Sequence, residues 1–185
     1  RLIHDYHGSL TSRTMWLFNC SLFMLMGYAY CGCPDARFEE IGGTCYYFSE
    51  DHGDHNIKAS WESARTVCKD LGTELEMTVD LVNFGIEGSC CSEGLLLRNI
   101  HGKGGTDTWL GAEDMDEDDQ FHWTVSGEAV DNHDSYWGRH EPNHIQAGVR
   151  ENCMSTSMYR DGEYTRMYFN DAACDIAHHY VCQVY

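Results

Sequence analysis

Trp137-Gly-Arg-His-Glu141-Pro142-Asn143 opens a stretch that continues through Glu151-Asn152-Cys153 and closes on Phe169-Asn170-Asp171-Ala-Ala-Cys174. Five oxygen-bearing side chains recur in it: Glu141, Asn143, Glu151, Asn170 and Asp171. Carboxylates mixed with side-chain amides suit a hard cation such as Ca2+. That ion takes roughly 6–8 oxygen ligands at about 2.3–2.6 Å and accepts amide carbonyls as readily as acids. Cys153 and Cys174 bracket the second half and, if joined, would tie it into a rigid loop. Taken alone, Glu-Pro-Asn is an ordinary surface turn; the set around it is what points to a site.

Working outward, 185 residues suit one domain plus a short appendage, enough chain to bury a sizeable core. The balance is strongly acidic, 30 Asp and Glu against 12 Lys and Arg, for a net charge of −18. No Lys/Arg cluster interrupts it, so a nucleic-acid backbone would be repelled. Such acidity fits cation binding, solubility or attraction to mineral or basic surfaces, and a solvated acidic face is the plainer alternative. Ten cysteines point to an oxidising compartment. Zinc is the competing reading. No C-x-x-C pair recurs with a matching second half, however, and Cys31-Gly-Cys33 and Cys90-Cys91 are spaced too tightly.

Along the chain, Met15 opens an apolar run to Met26, followed by Gly27-Tyr28-Ala29, a small-x-small pattern suited to signal peptidase. The run is shorter than the ~20 residues of a membrane span. Residues 1–29 therefore read as an upstream segment and a secretory leader, with Cys20 leaving alongside it. The alternative is a hydrophobic segment retained in the mature protein. Residues 30–185 read as the globular domain. Cys33 to Phe48 reads as a strand pair turning at Gly42-Gly43. The polar loop from Ser49 to Lys58 holds His52 and His55, read as solvated. A helix is expected over 60–71, with Trp61, Ala64, Val67, Cys68 and Leu71 on one face, Ser60 as N-cap and Gly72 as the stop. A short strand is expected between Leu75 and Phe84, and a second helix from Leu95 to Ile100. Strands are expected at Thr108–Gly111 and Phe121–Thr124. A hairpin turning at Asp161-Gly162 should join Cys153–Tyr159 to Tyr164–Phe169. Tyr180 to Gln183 closes the domain. His178 and His179 read as surface polarity.

Glu-Pro-Asn, Glu-Asn-Cys, Phe-Asn-Asp-x-x-Cys and the final Val181-Cys182 together resemble a C-type lectin domain. The resemblance covers Cys33 to Tyr185. It takes in Cys33-Pro34, Gly43-Thr44-Cys45-Tyr46, a helical Cys68, Trp109-Leu110-Gly111, Phe121-His122-Trp123 and Tyr180-Val181-Cys182. Each motif alone is weak; their order is specific. The implied fold is α+β, two helices flanking small antiparallel sheets with a long calcium-binding loop region, stapled by disulfides. Sequence alone leaves connectivity open, but the resemblance implies Cys33–Cys45, Cys68–Cys182 and Cys153–Cys174. Cys31, Cys90 and Cys91 are then left over. Three is odd, so one thiol is free or joins another chain, and a disulfide-linked homodimer is expected.

The resemblance also implies that Glu141, Asn143, Glu151, Asn170 and Asp171 hold Ca2+, with a cis peptide before Pro142. Two neighbouring sugar hydroxyls would complete the ion's shell while contacting Glu141, Asn143, Glu151 and Asn170. In the family, Glu-Pro-Asn goes with mannose, glucose, N-acetylglucosamine and fucose, and Gln-Pro-Asp with galactose. A second calcium site would draw on Asp114 and Asp118, in a run of six carboxylates within Glu113–Asp119 that otherwise reads as a solvated loop. Its other partners would be His144 and Asn152, where the family pattern has acids. Asn143 to Glu151 is two residues longer than the common spacing, and Phe169 replaces the usual tryptophan. His140 and His144 read as solvent-facing; the alternative is a proton-sensitive pair whose charge near pH 6 would repel calcium. The function implied is secreted, calcium-dependent recognition of glycans on microbial surfaces. An acidic matrix protein of a mineralised tissue and a protein-binding domain are the alternatives. No Gly-x-Ser-x-Gly, His-Glu-x-x-His or phosphate-cradling Gly loop points to an enzyme.

Overall fold

Gly42 and Gly43 both take left-handed backbone, at φ 62° and 87°, which glycine adopts without steric cost. They turn the chain between β1 (Glu39–Ile41) and β2 (Thr44–Phe48), the expected first hairpin. The computed structural model describes residues 32–51, 57–84, 93–103, 107–131, 136–161 and 164–185. The expected leader, Cys20, Cys31, His52, His55, Cys90, Cys91 and the Gly162 turn lie outside the described residues, and with them the expected interchain bridge.

Helix α1 (Trp61–Leu75) starts where the sequence places it. The Ser60 hydroxyl accepts from the Ser63 N–H at 3.4 Å, satisfying one of the donors that a helix N-terminus leaves bare. Trp61, Ala64, Cys68 and Leu71 are buried on one face. The expected stop at Gly72 is corrected: the helix runs on to Leu75 and ends on Glu76, whose φ is 55°. A Cβ on Gly72 would meet the Met77 carbonyl oxygen at 2.7 Å. Its missing side chain lets the next segment close against the helix; it does not end the helix. Helix α2 (Glu93–Gly102) is longer than expected at both ends and buries Leu96, Leu97 and Ile100.

The last strand, β10 (His179–Val184), organises the sheet. It pairs antiparallel with β2 (Cys182↔Tyr47) and with β3 (Val79–Leu81, Cys182↔Leu81), so the two ends of the domain are stitched together. At its start it also runs parallel to β4 (Thr108–Glu113), with Tyr180 opposite Trp109. Beyond β4 lie β5 (His122–Trp123), β8 (Cys153–Asp161) and β9 (Tyr164–Ala172). A separate hairpin joins β6 (Ile145–Gln146) to β7 (Val149–Arg150). The β10–β4 contact is parallel, whereas the other pairings of these strands are antiparallel, as expected. It is a long-range choice, made because both strands cover the same helix face.

Two apolar clusters fill the interior. One gathers Trp61, Cys68, Trp109 and Tyr180 under α1, and the other gathers Phe121, Trp123, Trp137 and Phe169 beneath the long loops. The buried indoles satisfy their donors on backbone carbonyls, Trp61 on Leu110 and Trp109 on Ala59, each at 2.8 Å. His178 and His179 are not surface polarity. His178 lies 4.5 Å, centroid to centroid, from the Trp109 ring, and burial pushes the pKa of both histidines down.

All three implied disulfides are present: Cys33–Cys45, Cys68–Cys182 and Cys153–Cys174. Their loops differ greatly, separating partners by 12, 114 and 21 residues. A crosslink closing a longer loop removes more entropy from the unfolded chain. Replacing Cys68 and Cys182 by alanine should therefore cost about 2 kcal/mol more than replacing Cys33 and Cys45. Urea midpoints of the two variants give the comparison, and an equal loss would refute it.

Candidate metal centre

The loop carrying Glu-Pro-Asn is pinned to β9 before it reaches the site. The Phe169 N–H donates to the Tyr136 carbonyl at 2.7 Å and the Gly138 N–H to the Phe169 carbonyl at 2.9 Å. Trp137 meets Phe169 edge-on, and Phe169 stacks on Phe84 at 5.6 Å, so phenylalanine fills the tryptophan position without opening the core. Gly138 allows the close approach: a Cβ there would fall 2.4 Å from the Tyr168 ring. The Glu141–Pro142 peptide is cis, as the resemblance implies.

Asp171, at the end of β9, is fully buried and grips the tripeptide. Its two carboxylate oxygens accept from the N–H groups of Asn143 and His144, at 3.1 and 2.6 Å. Glu151 follows β7 and is also buried. The β8–β9 register sets Ser155 opposite Asn170 and Met154 opposite Asp171, with the Cys153–Cys174 bridge alongside. The Asn170 amide nitrogen contacts the Asp171 carbonyl oxygen. Glu141, Asn143, Glu151 and Asp171 thus meet in one place, with Asn170 adjoining.

The electrostatics of this place call for a cation. Burial, then Asp171 and then Glu151, push the Glu141 carboxyl up to about 7, with the Asn143 amide opposing. Burial and Asp171 likewise push Glu151 up. Glu141 Oε2, Asn143 Oδ1 and Glu151 Oε2 are buried without a hydrogen-bond partner. A buried oxygen left unpaired is costly. An oxygen-seeking divalent ion would satisfy all three and hold both carboxyls ionised. The donor set, carboxylates and amides without sulfur, fits calcium.

The second acidic cluster differs from expectation. Asp114 is fully buried, but its two oxygens accept from the N–H groups of Asp118 and Asp119, at 3.1 and 3.2 Å. Asp118 is exposed and its Oδ1 accepts from the Gln120 N–H. Asp114, Asp116 and Asp118 bring ligand atoms within 4.8 Å of one another, and so do Asp114, Asp119 and His144. His144 thus faces Asp119 rather than Asp118. Nor is His144 solvent-facing: its ring stacks on Phe121 at 5.8 Å, whereas His140 is exposed as expected. The sequence reading missed Arg150, whose guanidinium meets Asp119 at 2.8 Å. A lone basic residue beside Glu151 in so acidic a chain was the available signal. The two extra residues between Asn143 and Glu151 are absorbed by the β6–β7 hairpin, turning on Ala147 (φ 51°) and Gly148 (φ 83°).

Residues 57–184 match the family model described as the lectin C-type domain, and the chain belongs to that family. A curated relative, the CD209 antigen-like protein D of Mus musculus, is 27% identical over 77% of this chain, which spans about half (48%) of that protein's length. The C-type lectin CEL-I from Cucumaria echinata shares the fold at a TM-score of 0.60 and 19% identity, covering 82% of this chain and 96% of that one. The C-type carbohydrate-recognition domain of cow CD23, solved in the presence of a GlcNAc2Man3 oligosaccharide, matches at 0.58 with 25% identity, covering 83% and 96%. The family is generally non-enzymatic, and it typically binds Ca2+.

The raised carboxyl pKa gives a signed prediction. A group whose folded pKa lies above its unfolded value loses its stabilising contribution as pH rises through the folded value. In chelator, the stability of the wild type relative to Glu141→Gln should therefore fall as pH rises from about 4.5 to about 7. Saturating calcium should abolish that fall. Thermal melts across this range, with and without chelator, decide it; parallel curves in chelator would refute the electrostatic reading.

Proposed function

We propose that this chain is a secreted, calcium-dependent carbohydrate-binding protein of the mannose-type class that recognises glycans on microbial surfaces. The observation that carries the reading is the trio of buried, unpartnered oxygens on Glu141, Asn143 and Glu151, set around the Asp171 clamp. One Ca2+ there would take oxygens from Glu141, Asn143, Glu151, Asn170 and Asp171. Its open positions would accept two neighbouring hydroxyls of one sugar. Each hydroxyl can donate to a carboxylate of Glu141 or Glu151 and accept from an amide N–H of Asn143 or Asn170. The order of acid and amide across Pro142 fixes where donors and acceptors lie, and so selects the hydroxyl geometry.

Three disulfides support an extracellular location, with residues 30–185 as the working domain and 1–29 as its leader. No described helix is long and apolar enough to cross a membrane. A single shallow site gives weak monovalent binding, so display on a repeating surface would supply avidity.

Inhibition of binding to a mannose-bearing surface tests this reading. Free mannose should compete at least tenfold better than galactose, and Glu141→Gln with Asn143→Asp should reverse the order. Equal inhibition by both sugars, before and after the exchange, would contradict it.

A further inference from the structure

The acidic loop following β4 already contains a positive charge. Arg150 Nη1 lies 2.8 Å from Asp119 Oδ1, its Nε lies 3.7 Å from Glu117 Oε2, and its Nη2 reaches the Glu117 carbonyl at 3.4 Å. His144 Nδ1 lies 3.9 Å from the same Asp119 oxygen, with its ring held by Phe121. Two of the loop's other acids accept backbone N–H groups. Asp114 is taken up by the N–H groups of Asp118 and Asp119, and Asp118 by that of Gln120. A divalent ion arriving here would meet a guanidinium fixed on one of its carboxylates, while His144 Nδ1 and Asn152 Oδ1 are buried without a hydrogen-bond partner and would be open to it once the guanidinium is gone.

We propose that Arg150 is the resident cation of this loop: its guanidinium stands in place of a second calcium, so that the domain takes one divalent ion rather than two. Arg150 sits at the end of β7, paired with Ile145 across the hairpin and directly before Glu151. The ion pair therefore also fastens the acidic loop to the strand that presents a ligand of the first site. A metal ion leaves when calcium falls, whereas a guanidinium does not, so this half of the loop region stays assembled without calcium. Arg150 is a positioning residue in this account and touches neither ion nor sugar.

The inference rests on the calcium reading above, and the test separates the two. Equilibrium dialysis of calcium would compare wild type, Arg150→Gln and Arg150→Lys. It would also compare Glu141→Gln/Glu151→Gln with and without Arg150→Gln. Arg150→Gln should bind one more ion per chain than its parent in both backgrounds, and Arg150→Lys should bind no more than wild type. A wild type without calcium would refute the first site alone, because the increment in the second background still reports on Arg150. Two ions in wild type, or no increment in either background, would overturn the inference. If Arg150→Gln does not fold in chelator, millimolar calcium should restore it by supplying the missing charge; failure to fold at any calcium concentration would equally overturn it.

Discussion

The site depends on one buried carboxylate. Asp171 spends both its oxygens on the N–H groups of Asn143 and His144, and this fixes the backbone after Pro142 against the end of β9. Hydrogen bonds to an ionised acceptor are roughly twice as strong as neutral ones, so this clamp sets the loop more firmly than ordinary loop contacts would. Its consequence is electrostatic. Glu141 and Glu151 are held near a third carboxylate in a dehydrated place, an arrangement that is unfavourable alone and favourable around a cation.

Everything beneath the clamp makes it rigid. Trp137 and Phe169 lock the approach of the loop, and the nine-residue β8–β9 ladder fixes the height of Asn170 and Asp171. Cys153–Cys174 closes that ladder next to Asn170 and Asp171. The hub strand β10 ties this upper half to α1 and to the first hairpin, so site and scaffold share one hydrogen-bonded frame. Loops carry function best when a rigid scaffold sets them.

Local signals in the sequence were read correctly where local physics decides. Ser60 caps α1 because its hydroxyl answers a nearby donor, and Gly42-Gly43 turns the chain because glycine tolerates positive φ. Gly72 misled for a related reason: the residue that ends helices is also the one that admits a close neighbour, and only the fold distinguishes the two. The parallel contact of β10 with β4 left no local trace, since it joins segments some seventy residues apart. The five oxygen-bearing side chains were legible as a pattern of residue types. Their convergence on Asp171 and the pairing of Arg150 with Asp119 were not, because both depend on how the β6–β7 hairpin folds. A hairpin of two-residue strands carries too few alternations to announce itself.

Retention on immobilised mannose tests the central claim most directly. If Glu141, Asn143, Glu151, Asn170 and Asp171 surround a calcium ion that a sugar completes, the protein will be held by the resin in calcium and released by EDTA. Passage through the column at every calcium concentration, with the domain folded, would contradict the account.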